Sequence, residues 1–211
     1  MEFASEMVIK ATLYQMRIAE VPTTLAKDGR SRPPHLRPWR DGWRHLRFML
    51  LFSPRWLFIY PGAILLVSSL IAFFILYVGP VAIGRITFDV HSMLGAMAGA
   101  VLGYLALGLG LVARLIGVRE GMLRSRGPWE RDIVASAFEV GGALGIVLSF
   151  SGMVAGMAAV TTWGQLHFGP LASDQLIRQV ALGLLLLLLG GVTLMVSLII
   201  GFLSLPTRRV P

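Results

Sequence analysis

Arginine is the residue type with the clearest capacity for chemistry in this sequence, and it is concentrated in residues 30–55. Seven of the 19 lysines and arginines lie there, beside a single acid, Asp41. Guanidinium groups form paired, charge-assisted hydrogen bonds with phosphate oxygens. The segment therefore predicts phosphate binding, either to anionic lipid headgroups or to the phosphate of a reacting substrate, and the two roles are compatible.

Other groups that could take part in catalysis are sparse. Glu2 and Glu6 are one helical turn apart, a spacing that solvation of a helix surface also explains. The four histidines are dispersed, no cysteine is present, and no acidic D-x-D pair occurs. These patterns predict no metal site within this chain and exclude disulfide and thiol chemistry. Motifs of the GxGxxG, GxxxxGK[ST] and GxSxG types are also absent.

The composition is that of an integral membrane protein. Of the 211 residues, 55% are hydrophobic and 14% are charged, and the mean hydropathy is +0.73. The net charge of +8 comes from basic residues at the edges of apolar stretches, where the membrane itself explains them. Nucleic acid is therefore not expected as a partner.

Four apolar stretches predict transmembrane helices at residues 56–78, 90–118, 133–162 and 177–205, followed by a basic tail at 206–211. Nearly all Lys and Arg of the connections lie in the segment before the first span, in 119–132 and in the tail. The other two connections contain only Arg85, with Arg178 at the edge of a span. This asymmetry predicts that both termini face the cytoplasm.

Small and charged residues within the spans suggest how the helices meet. Gly95, Gly99 and Gly103 recur at intervals of four, which indicates close helix packing. Packing within the chain is favoured over homodimerisation, because the third span offers a matching small-residue face. Arg114 is expected to reach the membrane surface as an anchor, and Glu139 is expected to pair with Arg114 or Arg131.

Residues 39–55 are predicted to form an interfacial amphipathic helix. Wound as a helix, Trp39 and Trp43 share one face, and three arginines flank it: Arg40, Arg44 and Arg47. These five side chains are the predicted contacts to lipid headgroups. Residues 1–38 contain a predicted helix (2–16), a short strand (17–25) that Pro22 restricts to an edge, and a proline-containing basic loop.

The predicted fold class is all-α membrane. A four-helix transmembrane bundle at 56–205 is preceded by a short α/β remnant at 1–38 and by the interfacial helix. A helix with one edge strand buries too little apolar surface to fold alone, so residues 1–38 are interpreted as the end of a larger α/β domain.

Three stretches, MEFASEMVIKA, RIAEVPTTL and DGRSRPPHLRPWRDGWRHLRFMLLFSPRWLF, resemble the C-terminal end of family 2 glycosyltransferases. The type is the polyprenyl-phosphate (dolichol-phosphate) mannosyl or glucosyl synthase, whose cytoplasmic GT-A domain transfers sugar from a nucleotide donor to polyprenyl phosphate. The resemblance implies that Gly29 to Arg32 corresponds to a phosphate-contacting G-x-S-K loop, with Arg32 in place of the lysine. Four residues are then implied to bind the acceptor phosphate: Arg30, Ser31, Arg32 and Arg37.

The same resemblance implies a function and its partners. Glu2 and Glu6 match the acidic positions of the family's EF-x-x-E-M helix. The donor-binding half, with its metal-binding acidic motif, is expected before residue 1, so a divalent cation (Mg or Mn) belongs to the complete enzyme and this chain holds no cofactor. The chain would then be a fragment, a truncated product or a separate subunit. Its partners would be the lipid bilayer, polyprenyl phosphate, and a separate GT-A catalytic polypeptide or another copy of the chain.

The sequence therefore predicts the membrane-anchoring and acceptor-side portion of a polyprenyl-phosphate glycosyltransferase. The alternative is a non-catalytic membrane scaffold or accessory subunit whose arginines bind anionic lipid. A small transporter is less favoured, because the spans offer few polar groups near the membrane midplane.

Overall fold

A computed structural model describes residues 7–8, 10–12, 14–24, 29, 37–51, 53–123, 125, 127, 129–165, 167–168 and 174–205. Four helices in it are long and apolar enough to cross a membrane: Arg55–Val78, Val90–Arg119, Asp132–Gln165 and Gln175–Ser204. The predicted all-α membrane fold is confirmed.

The regular elements are, in chain order, α1 (Pro38–Leu51), the π-helical turn π1 (Arg55–Ile59), α2 (Tyr60–Val78), β1 (Val81–Ile83), β2 (Ile86–Phe88), α3 (Val90–Arg119), α4 (Trp129–Ser136), the π-helical turn π2 (Ala137–Gly141), α5 (Gly142–Gln165) and α6 (Asp174–Ser204). Each π-helical turn leads directly into the helix that follows it. The first span therefore begins with a widened turn, and the third span contains one after its first residues.

The four spans lie in a row rather than around a common axis. Helix α2 packs on α3, α3 packs on α6, and α6 packs on α5, so two antiparallel helical hairpins are joined through the α3–α6 interface. We call the end where Arg55, Arg119 and Asp132 lie the basic end. The opposite end, where β1 and β2 lie, is the hairpin end.

Glycines 99 and 103 pack α3 against α2. A Cβ atom on Gly103 would lie 2.5 Å from the backbone nitrogen of Leu66 and 2.8 Å from the carbonyl oxygen of Gly62. The packing is within the chain, as expected, but the partner is the first span and not the third. A short connection brings consecutive helices together, and the small-residue face of α3 is then filled by its hairpin neighbour.

The small-residue face of the third span is occupied by α6. A Cβ atom on Gly152 would lie 2.5 Å from the backbone nitrogen of Leu187 and 2.6 Å from the carbonyl oxygen of Gly183. Both hairpins are therefore held by direct approach of two backbones, which only glycine permits at this distance.

Replacing Gly103 by alanine should destabilise the fold, whereas the same change at Gly95 should not. The methyl group at position 103 would collide with backbone atoms of α2, and overpacking of this kind costs about 1–3 kcal/mol. Apart from the backbone of its own helix turn and its chain neighbours, nothing lies within 4 Å of a Cβ built on Gly95. Unfolding by sodium dodecyl sulfate in mixed micelles measures both variants. Equal stabilities would show that α2 and α3 do not touch at Gly103.

The core joins three of the spans. A cluster toward the hairpin end links α2, α3 and α6 through Phe73, Met93 and Leu185, all fully buried. A smaller cluster at the basic end links α3 and α6 through Val112, Leu115 and Ile200. Between these clusters the α3–α6 interface is less completely filled, as described below.

The connection between the first two spans is a β-hairpin. Strands β1 and β2 pair antiparallel, with Ile83 opposite Ile86, around a two-residue loop of Gly84 and Arg85. Gly84 has φ +63°, the left-handed conformation that tight hairpin loops require. The β-branched residues on either side of this glycine are the signal that favours a hairpin here.

The N-terminal segment is helical at residues 7–8 and 10–12, within the predicted helix. Residues 16–24 form neither helix nor strand, so the strand predicted at 17–25 is not observed in the described residues. A strand needs a hydrogen-bonded neighbour, and the two strands of the described part of the chain pair only with each other.

Candidate functional site

Helix α1 begins at a proline and is capped by an acid. Pro38 has no N–H group to satisfy and its fixed φ suits the first turn of a helix. The Asp41 carboxylate accepts a hydrogen bond of 3.0 Å from the Arg37 backbone N–H. The single acid of this basic segment therefore stabilises the helix start.

Helix α1 presents bulky apolar side chains on its outside. Trp39 is 90% exposed and Trp43 is 61% exposed, and Leu46 on the same face is also exposed. Three exposed arginines lie beside this face: Arg40, Arg44 and Arg47. Indole rings beside guanidinium groups are the combination that places a helix at headgroup depth in a membrane.

An aromatic pair continues this surface into the first span. Trp56 in π1 and Tyr60 at the start of α2 have ring centroids 5.0 Å apart in an edge-to-face arrangement, and both are exposed. Tryptophan and tyrosine are enriched where membrane meets water. The chain therefore carries amphipathic aromatic groups on both sides of the turn at Ser53 and Pro54.

The predicted phosphate-binding loop is described only at its edges. Gly29 and Arg37 are exposed. Arg30, Ser31 and Arg32 lie outside the described residues, as do the acidic candidates Glu2 and Glu6. Their grouping in one site remains a prediction. Among the described residues, no group of three His, Cys, Asp or Glu side chains could hold a metal ion.

A partly buried ion pair that the sequence analysis did not single out closes the hairpin end of the bundle. Arg178, at the start of α6, is 5% exposed. Its guanidinium donates to the carbonyl oxygen of Leu76 in α2 and to the carboxylate of Asp89, directly before α3. One side chain thus holds three helices together. The sequence signal for this ion pair was the presence of two opposite charges, Asp89 and Arg178, at the edges of spans on the same side of the membrane.

At the basic end, two arginines of α3 have different surroundings. Arg119 donates a hydrogen bond of 2.8 Å to the carbonyl oxygen of Leu203 near the end of α6. Arg114 was expected to reach out to the membrane surface, but its side chain is only 6% exposed. It faces the protein interior because it follows Leu111 by one turn on the side of α3 that packs in the bundle.

Glu139 lies in π2 and is exposed. No ion pair joins it to a described side chain, so the expected pairing with Arg114 is not observed, and the side chain of Arg131 lies outside the described residues. Glu139 points outward because the residues of π2 that face α6 are Ala137 and Gly141, on the opposite side of the turn.

A cavity of about 270 Å³ lies between α3, π2 and α6, in the half of the bundle nearer the basic end. Tyr104, Thr193 and Ser197 contribute its hydroxyl groups, and the remaining lining side chains are apolar. The hydroxyls of Tyr104 and Thr193 are 2.8 Å apart. The sequence signal for this contact between α3 and α6 was the presence of two polar residues, Tyr104 and Thr193, within otherwise apolar spans.

These features define a class of protein, a multi-pass helical membrane protein with a basic helix bearing exposed tryptophans before its first span. Residues 111–204 match the family model of the glycosyltransferase family 2 C-terminal transmembrane region. The resemblance to the C-terminal membrane part of a family 2 glycosyltransferase that was expected from the sequence is therefore confirmed.

The chain is similar to one curated protein in particular, the low-salt glycan biosynthesis hexosyltransferase Agl6 of Haloferax volcanii. The two are 30% identical over 204 residues, which cover 94% of this chain and 48% of Agl6. The chain thus spans about half the length of this relative. No solved structure matches it.

Proposed function

We propose that this chain is the membrane-anchoring and acceptor-side portion of an enzyme that transfers a sugar from a nucleotide donor to polyprenyl phosphate. The observation that carries the proposal is the 30% identity to a hexosyltransferase along 94% of the chain. A similarity that extends over the N-terminal segment as well as the spans favours a shared role for both parts.

The order of the elements supports an acceptor-side role. The phosphate of a polyprenyl phosphate lies at the membrane surface, and helix α1 leads directly from the basic loop into the first span. The arginines of α1 would hold this region against anionic headgroups, at roughly 1 kcal/mol for each basic residue near the surface. Arg30, Ser31, Arg32 and Arg37 would then meet the acceptor phosphate.

The donor-side chemistry is assigned to another part of the enzyme. A GT-A half would bind the nucleotide and a divalent cation, Mg or Mn. The partner of this chain would be a separate GT-A polypeptide or another copy of the chain. Within this chain, the proposed contribution is therefore binding and orientation of the lipid acceptor.

Both termini are proposed to face the cytoplasm, and single-cysteine labelling tests this orientation. The chain has no cysteine, so Arg85→Cys in the β-hairpin and Ser125→Cys between the hairpins each introduce a unique thiol. An impermeant maleimide added to intact cells should label Arg85→Cys alone, and both after permeabilisation. Labelling of Ser125→Cys in intact cells would reverse the orientation.

A chimera tests the proposed function. This chain should replace the part of Agl6 with which it aligns, and membranes containing the chimera should receive labelled nucleotide hexoses and polyprenyl phosphate. We expect a labelled polyprenyl-linked hexose. Membranes with this chain alone should give only background, because no nucleotide-binding motif occurs in the sequence.

Two controls make the result decisive. The remaining half of Agl6, expressed without this chain, should be inactive toward the lipid acceptor. A second chimera keeps α1 but has an unrelated four-span bundle in place of residues 56–205. It separates membrane anchoring from binding of the lipid acceptor. A chimera that inserts into membranes and forms no lipid-linked sugar would contradict the proposal and would favour the scaffold alternative, which the exposed Trp and Arg face of α1 also suits.

A further inference from the structure

The β-hairpin between the first two spans separates its side chains by polarity. Successive residues of a strand point to opposite faces, and directly opposite residues of an antiparallel pair share a face. The pairing therefore places four large apolar side chains on one face: Val81, Ile83, Ile86 and Phe88. We call this the apolar face of the β-hairpin. The other face carries Ala82 and Thr87, which are opposite each other.

The apolar face is turned toward the membrane bundle. Val81, at the base of the β-hairpin, packs against the core cluster that contains Phe73 and Met93. This cluster lies between the spans, so the face that carries Val81 is directed toward the membrane. The face with Ala82 and Thr87 is directed away from it. The β-hairpin thus has the polarity expected of a sheet that lies on a membrane surface.

The bundle covers only the base of the apolar face. Val81 is half-buried, whereas Ile83 is 66% exposed and Ile86 is 62% exposed. An isolated two-stranded hairpin is marginally stable in water and needs packing on its apolar side. The described residues leave the two isoleucines at the tip mostly exposed, so their apolar contacts have to come from another molecule.

The short connections to the spans place that tip beside lipid. Two residues separate α2 from β1, and one residue separates β2 from α3. At about 3.6 Å per residue, β1 begins within about 11 Å of the end of α2. The headgroup layer is itself about 5–8 Å thick on each side of the hydrocarbon core. Asp89, directly after β2, is bound to Arg178 of α6, which keeps the base of the β-hairpin against the bundle.

The charge at the turn fits the same location. Arg85 is exposed in the two-residue loop, directly before Ile86, and it is the single charged residue of the sequence from 81 to 88. An arginine side chain can lie along apolar surface while its guanidinium group reaches lipid phosphates. A tip with two isoleucines and one arginine therefore suits the boundary between acyl chains and headgroups.

We propose that the β-hairpin lies on the lipid surface at the hairpin end, with Ile83 and Ile86 at the boundary between headgroups and acyl chains and with Arg85 among the lipid phosphates. This contact does not depend on sugar transfer. Helix α1 precedes the same span at the basic end. The first span would then have an amphipathic element at each membrane surface.

The depth of single spin labels tests this location. The chain has no cysteine, so each introduced cysteine carries a unique label. In phosphatidylcholine liposomes, oxygen concentrates in hydrocarbon and a nickel complex, supplied on both sides, stays in water. Relaxation of the label by the two reagents gives its depth. Labels on Ile83→Cys and Ile86→Cys should lie about 5–10 Å below the phosphates, and labels on Ala82→Cys and Thr87→Cys at the phosphates or above. Equal depths on the two faces would overturn the proposal.

Matched variants test whether the isoleucines hold the tip in the membrane. With the label on Arg85→Cys, the pair Ile83→Asn and Ile86→Asn should move the label toward water by about 5 Å or more. The pair Ala82→Asn and Thr87→Asn makes the same change on the other face and should leave the depth unchanged. Both pairs retain Val81 and its contact with the core cluster. The same depth in both pairs would show that the apolar face does not bind lipid.

A second copy of the chain is the other occupant that an exposed two-stranded sheet could accept. To test for it, the chain labelled on Ile86→Cys is reconstituted alone and with a large excess of unlabelled chain. The spectrum should be the same in both samples. Spin–spin broadening that disappears on dilution would place a second copy against the β-hairpin and would overturn the assignment to lipid.

Discussion

Replacing Asp89 by alanine should lower the free energy of unfolding by about 2–4 kcal/mol, because it leaves the guanidinium of Arg178 buried without a counter-charge. Loss of one partner of a fully buried ion pair costs about 3–5 kcal/mol. The expected value is smaller here because the Asp89 side chain is 36% exposed, so water replaces part of the interaction. Unfolding by sodium dodecyl sulfate in mixed micelles measures it.

Two comparisons separate the ion pair from a general effect of the substitution. Arg85→Ala removes an exposed charge from the same connection and should change stability by less than about 0.5 kcal/mol. The double variant Asp89→Ala with Arg178→Met removes both charges and should recover much of the lost stability. If the double variant is no more stable than Asp89→Ala alone, the buried charge is not the cause.

In a complete enzyme, replacing Arg30 or Arg32 by alanine should reduce turnover by roughly ten- to hundredfold without loss of membrane insertion. Under the proposed function, the change would remove a charge-assisted contact to the acceptor phosphate worth about 1.5–3 kcal/mol. The Agl6 chimera provides the enzyme, and formation of lipid-linked sugar provides the rate.

The arginines of α1 provide the control for that result. Arg40, Arg44 and Arg47 are exposed beside Trp39 and Trp43, so their joint replacement should weaken contact with anionic lipid and have an effect that shrinks at high salt. Rates are compared in anionic and neutral liposomes. If the Arg30 and Arg32 variants lose activity only in anionic liposomes, these residues bind lipid headgroups and the acceptor-phosphate role is wrong.

The spans and their number could be predicted because each is a long apolar run, and a membrane leaves few other structures for such a run. The helix after Pro38 could also be predicted, because Trp and Arg recur there at helical spacing. Both predictions depend on patterns that are local in the chain.

Contacts between distant residues could not be predicted in the same way. Asp89 and Arg178 are 89 positions apart, and their meeting depends on which helices are neighbours in the row. The sequence also does not show which helices are neighbours, so the third span was expected to pack on Gly103, although α2 does so. Small residues in α2 and in α5 offered equivalent surfaces. The cavity depends on side-chain packing around Tyr104 and Thr193, which no periodicity in either helix reveals.

The row of helices also gives the assembly of this protein an order. A ribosome delivers α2 and α3 first, and their glycine contacts can form before α5 and α6 have been made. The second hairpin can close in the same way, so we expect α3 to dock on α6 after both hairpins have formed. Arg178 then favours the native docking over other registers. A hairpin that docks in the wrong register leaves the Arg178 guanidinium in apolar surroundings without Asp89, and only the native arrangement removes the free-energy cost of that unpaired charge.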